Sequence, residues 1–415
     1  MAIVINGSGT ISGISVGGLP DSIVDAGTLA TDSVTAAKIA TNSVDSAELI
    51  DGAVDDSHMA SISGRKNMVI NGAMQVAQRG TSATGIDTDS SATEAYRTLD
   101  RFIFGGNDAG VWTMTQDSDS PVGFGSSMKL DCTTAKSSLD AGSYLYVLNR
   151  IEAQDLQQLG YGTSSPQAIT LSFWVKSPKT GTHYAELYHG DSSGSTKRKN
   201  SYAYTVSSAN TWEKKSMTFA GDTGVNAIVN DTGYGLMLMW YLAAGSNLTS
   251  GTNTNDNWQN TEANRTPNQV NCADSTSNNF YLTGVQLELG STATDFEHRS
   301  FGEELALCQR YFHQQGRQGS DRYEHFLNVA AFNTTQARGV IPLPTTMRAF
   351  PTVSADGDFQ TITGLDIQTI SLADGGGNPS VGLNFAVASG MTTSYAYTIR
   401  SDNDADSYIQ FDAEL

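Results

Sequence analysis

The sequence predicts a mostly β protein: a trimeric N-terminal repeat shaft, a central β-sandwich or jelly roll, a short connecting α-helix and a C-terminal β-sandwich. Three observations predict it. Eight apolar residues recur five apart, namely Val24, Leu29, Val34, Ile39, Val44, Leu49, Val54 and Met59. Short alternating apolar runs then follow at steady intervals, separated by clusters of Gly, Asn, Asp and Ser. Finally, no helical pattern of ten or more residues alternates with those runs, which argues against an α/β arrangement.

Residues 1–21 form a glycine-rich head (GSGTISGISVGGLPD) and residues 22–63 the repeat. Its copies are SVTAAKIATN from Ser33, SVDSAELIDG from Ser43 and AVDDSHMASI from Ala53, with SIVDAGTLATD from Ser22 as a degenerate first copy. A five-residue step fits neither the helical period near 3.6 nor the strand period of 2, so each decad must bend. A short extended piece at Ser-Val followed by one helical turn satisfies this, with Thr35, Asp45 and Asp55 standing where an N-cap would. Mostly Ala, Ser, Thr and Asp, the repeat cannot enclose a core alone, so its anchors are expected to be buried against other copies of the chain. The competing reading is a disordered polar linker.

Composition changes at Gly64-Arg65-Lys66, and residues 64–299 read as the jelly roll. The strand signals are SMKLDC from Ser127, AITLSFWVKS from Ala168, HYAELYHG from His183, SYAYTV from Ser201, KKSMTFAG from Lys214, LMLMWYL from Leu236 and NFYLTGVQLELG from Asn279. Alternation within the second puts Ile169, Leu171, Phe173 and Val175 on a core face, with Thr170, Ser172, Trp174 and Lys176 opposite. Residues 300–312 read as a helix. Ser300 and Glu303 make a capping box, and Phe301, Leu305, Cys308 and Phe312 form one apolar stripe, which either faces a trimer axis or lies on the chain's own sandwich. Residues 313–415 carry a second β pattern (FLNVAAF, ARGVIPLP, PTVSA, TISLA, VGLNFAVA, SYAYTIRSD, SYIQFDAEL), with Pro342, Pro344 and Pro351 confined to edges and turns and the last strand sealed into a sheet.

A net charge of -19 repels phosphate backbones and anionic lipid, which argues against nucleic acid as a partner. The longest apolar run, LMLMWYLAA, is far shorter than a membrane span, and MAIVINGSG lacks the basic flank of a signal peptide, so a soluble protein made in a cytoplasm is expected. Cys132, Cys272 and Cys308 are odd in number and far apart, and read as buried thiols. No GxxxxGK[ST], HExxH, GxSxG or spaced CxxC occurs, so no enzymatic activity is expected. His183 and His189 are too far apart along a strand to share a metal and read as surface histidines. No cofactor is expected. Acidic loops such as Asp402, Asp404 and Asp406 would be where Ca²⁺ bound, but EF-hand spacing is absent.

One polar segment stands out, Asn247 to Asn279, in which Trp258 is the only aromatic before its end. A tryptophan in an Asn- and Thr-rich loop is suited to stacking on a sugar, with Asp256, Asn257 and Gln259 placed to bond hydroxyls; otherwise it pins its own loop. Tyr184, Glu186 and Tyr188, sharing one strand face, form a second candidate surface, which reads equally as core or as an oligomer contact.

The repeat, NMVINGAMQVAQRG (Asn67 to Gly80), LDRF, SFWVKS, NTWEKKSMTFAGDT, TGVQLELGSTATDFEHRS and ELALCQRYF together resemble the tail-fibre proteins of tailed bacteriophages, especially marine ones. The resemblance implies a homotrimer in the virion, attached to a tail or baseplate protein through residues 1–21, with a slender shaft and β-rich distal domains that recognise host surface polysaccharide. The middle region is similar to jelly-roll carbohydrate-binding modules. The head is shorter than the attachment domains of some podophage fibres, and the long β-helix of a depolymerising tailspike is missing. Rival readings are a structural appendage of the head or baseplate, and a glycan hydrolase.

Overall fold

A computed structural model describes residues 65–191, 198–224, 226–317, 322–373 and 379–415, together with strands β1 (Val4–Ile5) and β2 (Ile11–Ser12), which pair antiparallel. The chain divides into two units, Met1–Ser63 and Gly64–Leu415. The anchors Val24, Leu29, Val34, Ile39, Val44, Leu49, Val54 and Met59 lie outside the described residues, and with them the shaft.

Within the second unit the strands are β3 (Ser82–Asp87), β4 (Thr93–Tyr96), β5 (Phe102–Asn107), β6 (Val111–Asp117), β7 (Ser127–Thr134), β8 (Tyr144–Glu152), β9 (Ile169–Lys176), β10 (Gly181–His189), β11 (Lys199–Val206), β12 (Glu213–Phe219), β13 (Tyr234–Ala244) and β14 (Asn279–Leu289). They form two antiparallel six-stranded sheets, β11-β10-β13-β8-β5-β4 and β12-β9-β14-β7-β6-β3. The architecture is a β-sandwich of the jelly-roll kind. All seven strand signals in this region are strands. The five others had weaker signals for separate reasons: β3 and β4 are short polar edges, β5 (FIFGGN) ends in glycines that read as a turn, and β6 and β8 carry large side chains on both faces.

Ile169, Leu171, Phe173 and Val175 are fully buried between the sheets with Trp112, Phe102 and Trp240. Each such side chain contributes about 1.5–3 kcal/mol by leaving water. The opposite face of β9 is covered too, contrary to simple alternation: Thr170 and Ser172 are buried, and Lys176 lies 4.1 Å from the Tyr281 ring centroid. The cover is the chain that follows β14: Thr294 N donates to Glu288 Oε1 at 2.9 Å and Glu297 N to Gln286 Oε1 at 2.7 Å, and Glu288 and Gln286 stand opposite Thr170 and Ser172 in the register. His183 and His189 are buried rather than on the surface, because the odd-numbered side of β10 faces the core; His183 stacks on Tyr204, and His189 Nδ1 meets Asp222 at 3.0 Å. All three cysteines are buried free thiols.

The connecting helix, Phe301–Gln309, is shorter than expected and is the longer of the two α-helices among the described residues, the other being Ser246–Thr249. Ser300 caps it by accepting from Glu303 N at 3.3 Å, but the Glu303 side chain pairs with Arg65, so only half of the capping box forms. Nor is the stripe one buried face. Phe301 is 57% exposed, and Phe312 already belongs to the next strand. The helix is held on its own chain by Glu304, buried and accepting from Asn71 N.

Residues 312–415 supply β15 (Phe312–Gly316), β16 (His325–Ala331), β17 (Gln336–Pro342), β18 (Thr352–Asp356), β19 (Phe359–Thr361), β20 (Thr369–Leu372), β21 (Ser380–Ala386), β22 (Ala396–Ser401) and β23 (Tyr408–Asp412). These make a three-stranded sheet, β15-β23-β18, and a six-stranded one, β19-β22-β16-β17-β21-β20, around a core that includes Ile341, Leu383, Phe385, Ile399 and Phe411. The last strand is central in its sheet, as expected of a sealed end.

The two sandwiches meet through charge. Glu152, fully buried at the end of β8, accepts from Arg310 Nε (2.9 Å), Arg310 Nη2 (2.7 Å) and the Tyr311 hydroxyl (2.7 Å). Glu414 pairs with Arg79 and Arg101, whose guanidiniums lie 3.5 Å over the rings of Phe312 and Tyr311 respectively. Buried charges persist only when paired and hydrogen-bonded, so this joint fixes one sandwich on the other.

Candidate functional site

Strand register on the outer face of the first jelly-roll sheet decides which side chains come together. One row across it is Glu94 (β4), Gly105 (β5), Tyr146 (β8), Tyr241 (β13), Tyr184 (β10) and Ala203 (β11); the next is Tyr96, Ile103, Leu148, Met239, Glu186 and Ser201. Gly105 lets an aromatic ring lie down on the sheet, because a Cβ there would stand 2.2 Å from Tyr146 Cε2. Tyr144 stacks beside Tyr146, with centroids 5.3 Å apart and planes within 7°, and Tyr241 meets Tyr146 edge-on at 5.9 Å. Above this floor is a groove of about 500 Å³, also lined by Tyr188, Tyr234 and the methionines Met237 and Met239. Its size lies within the usual range of ligand sites.

Polar groups in the groove are oriented by one another. The Tyr146 hydroxyl donates to Glu94 Oε2 at 2.7 Å, and Arg150 binds the other carboxylate oxygen. Burial and the neighbouring Glu94 push the Tyr146 phenol well above its ordinary range, so it remains a donor. At the other wall Arg265 is bidentate to the buried Glu186 (2.5 and 3.0 Å) and reaches Glu262 at 2.9 Å. Burial opposes charge on Glu262, but Lys199 and Arg265 hold its carboxyl below the usual range. The lining thus has two carboxylates, Glu94 and Glu262, and two guanidiniums, Arg150 and Arg265, and is formally neutral. Flat aromatic surface edged by fixed donors and acceptors suits a ligand with an apolar ring face and a hydroxylated rim.

The sequence matches no protein-family model and no curated protein. Among solved structures, the chain is similar to the enzymatically active domain of tailspike protein 4 of bacteriophage CBA120, at 13% identity and TM-score 0.26 over 54% of this chain and 21% of that one. It is also similar to the family 11 carbohydrate-binding module from Clostridium thermocellum, at 10% identity and TM-score 0.26 over 52% and 98%. A xylan-binding domain from Paenibacillus barcinonensis gives 15% identity and TM-score 0.25 over 45% and 91%. The jelly-roll description rests on this chain's own two sheets.

None of Trp258, Asp256, Asn257 and Gln259 lines the groove. Trp258 is half-buried, donates from Nε1 to the Ala220 carbonyl at 2.8 Å and meets the Tyr161 ring edge-on at 5.7 Å. Asp256 accepts from Ala220 N (2.6 Å) and Asn200 Nδ2 (3.2 Å), Gln259 accepts from Thr261 N, and Asn257 is exposed. The segment is thereby fastened to the edge strand β11, through the Lys199–Gln259 bridge. Of the second candidate surface, Tyr188 lines the groove, Glu186 anchors Arg265 beneath it and Tyr184 packs under it.

Sequence reading missed Tyr144, Tyr146 and Arg150. The available signal was the alternation of Tyr144, Tyr146, Leu148 and Arg150 with Leu145, Val147, Asn149 and Ile151, in a run apolar on both faces. Among the described residues no group of three His, Cys, Asp or Glu side chains is placed to hold a metal. Asp404 instead accepts from Asp358 N, Asp406 N and Ser407 Oγ, closing its own turn.

Proposed function

We propose that this chain is the tail fibre or receptor-binding protein of a tailed bacteriophage, whose jelly roll attaches the virus to uncharged host surface polysaccharide through the tyrosine-floored groove. The carrying observation is the parallel Tyr144–Tyr146 pair lying on the sheet beside the fixed Glu94 and Arg150. A pyranose stacks its apolar C–H face on such rings while its hydroxyls reach the rim. The neutral lining within a chain of charge -19 favours neutral over acidic glycans. Binding on this reading takes place without cleavage, which an assay for new reducing ends tests. The repeat shaft assembles three chains in the virion, and weak single sites then act together.

The test is a panel of defined neutral and acidic oligosaccharides with the purified chain. Wild type should bind neutral members and release no new reducing ends. Tyr146→Ala should weaken binding by about 1–3 kcal/mol with adsorption to host cells falling in step. Unchanged binding in that variant would show that the groove is not the site. Light scattering should give a trimer.

A further inference from the structure

We propose that the end of the C-terminal sandwich is a working part of this groove: the Leu415 main-chain oxygen holds Arg150 against Glu94, so the jelly roll binds its ligand at full affinity only with that tail docked. The proposal rests on the glycan reading above.

Arg150 has two tasks. Its guanidinium lines the groove, binds Glu94 and lies 5.2 Å over the Tyr234 ring. The same guanidinium donates through Nη1 to the Leu415 main-chain oxygen, which the Tyr96 hydroxyl also approaches at 3.4 Å. A planar fork held by acceptors at both ends keeps one orientation; held at one end, it swings. The main chain is tied as well, since Arg101 Nη2 donates to the Arg150 carbonyl at 2.6 Å while Arg101 Nη1 pairs with Glu414.

The tail is itself firmly held. The Glu414 carboxylate is 5% exposed, between Arg79 and Arg101, and Arg348 from the C-terminal sandwich donates to the carbonyls of Ala413 (2.8 Å) and Glu414 (2.7 Å). Three jelly-roll arginines and one from the other sandwich therefore converge on three consecutive residues. A joint meant only to glue two domains has Glu152 with Arg310 already. What the tail adds is a contact to a side chain that also faces ligand, which makes Leu415 a positioning residue for Arg150.

The experiment uses the full chain and, as probe, the neutral oligosaccharide bound by wild type in the panel above. Removal of Leu415 and Arg150→Lys should each weaken binding roughly tenfold, the loss expected for one charge-assisted hydrogen bond. The double variant should lose no more than either single one, and the melting temperature of the Leu415-less chain should stay close to wild type. Losses that multiply in the double variant would mean independent action and overturn the proposal. So would unchanged affinity without Leu415 while Tyr146→Ala still weakens binding, an outcome that leaves the groove reading standing. If Tyr146→Ala binds like wild type, the groove reading fails and this proposal with it. Glu414→Ala extends the series; should it unfold the joint, the Leu415 removal decides, since that chain retains Glu414 and its ion pairs.

Discussion

At the scale of single residues, burial sets the chemistry. His183, stacked on Tyr204 and tilted against Phe280 in the core, has its pKa pushed down by burial to about 4. An unfolded histidine titrates near 6.5, so as pH falls from there toward 4 the unfolded chain takes a proton that the folded one refuses. Stability from this group is complete above about pH 6.5 and declines through that window by up to ~3 kcal/mol. Asp100 works in the opposite sense: burial pushes it up to about 6, so its contribution is complete below the ordinary 3.8 and is lost as pH rises toward 6. Urea denaturation of His183→Gln between pH 7 and 4 should therefore show a flatter fall than wild type; an identical slope would refute the assignment. Trp258 gives a second residue-scale expectation. With its ring on Tyr161 and its N–H on the Ala220 carbonyl, Trp258→Ala should cost about 2 kcal/mol of stability and leave groove affinity unchanged. Lost binding at unchanged melting temperature would instead return the site to this loop.

At the scale of elements, β5 and β8 make the site as a pair. Glycine ordinarily weakens a strand, and FIFGGN reads poorly as one, yet Gly105 is what allows the Tyr146 ring to lie flat across its neighbour. Gly105→Ala should lift that ring, so that glycan affinity falls severalfold while the fold, measured by circular dichroism, is kept. Full affinity in that variant would mean that the flat ring is not what binds. The short helix shows the same dependence on surroundings. Ser300 was legible as its cap, whereas Glu303 left the capping box for Arg65, a residue 238 positions away that no local pattern reveals.

At the scale of the whole molecule, residues 64–415 act as one unit because the joint between sandwiches is built from buried ion pairs. Removing one partner of such a pair costs about 3–5 kcal/mol, mostly by stranding the other charge. Calorimetry of Glu152→Ala should accordingly separate the melting of the two sandwiches, where wild type should give a single transition; one unshifted peak in the variant would contradict this. The apolar periods in the sequence were enough to determine a mostly β chain, fourteen of whose strands carry readable signals, with Ile169, Leu171, Phe173 and Val175 inside, because alternation is local and each strand declares its own two faces. Only the tertiary structure decided where the groove lies. Tyr144, Tyr146, Tyr188, Tyr234 and Tyr241 come from three strands, and Glu94, Arg150 and Leu415 meet only once two sandwiches have closed on each other. Trp258, conspicuous in a polar run, was drawn onto its own domain for the same reason: a large ring goes wherever the fold offers apolar company, and that company, Tyr161, is nearly a hundred residues away.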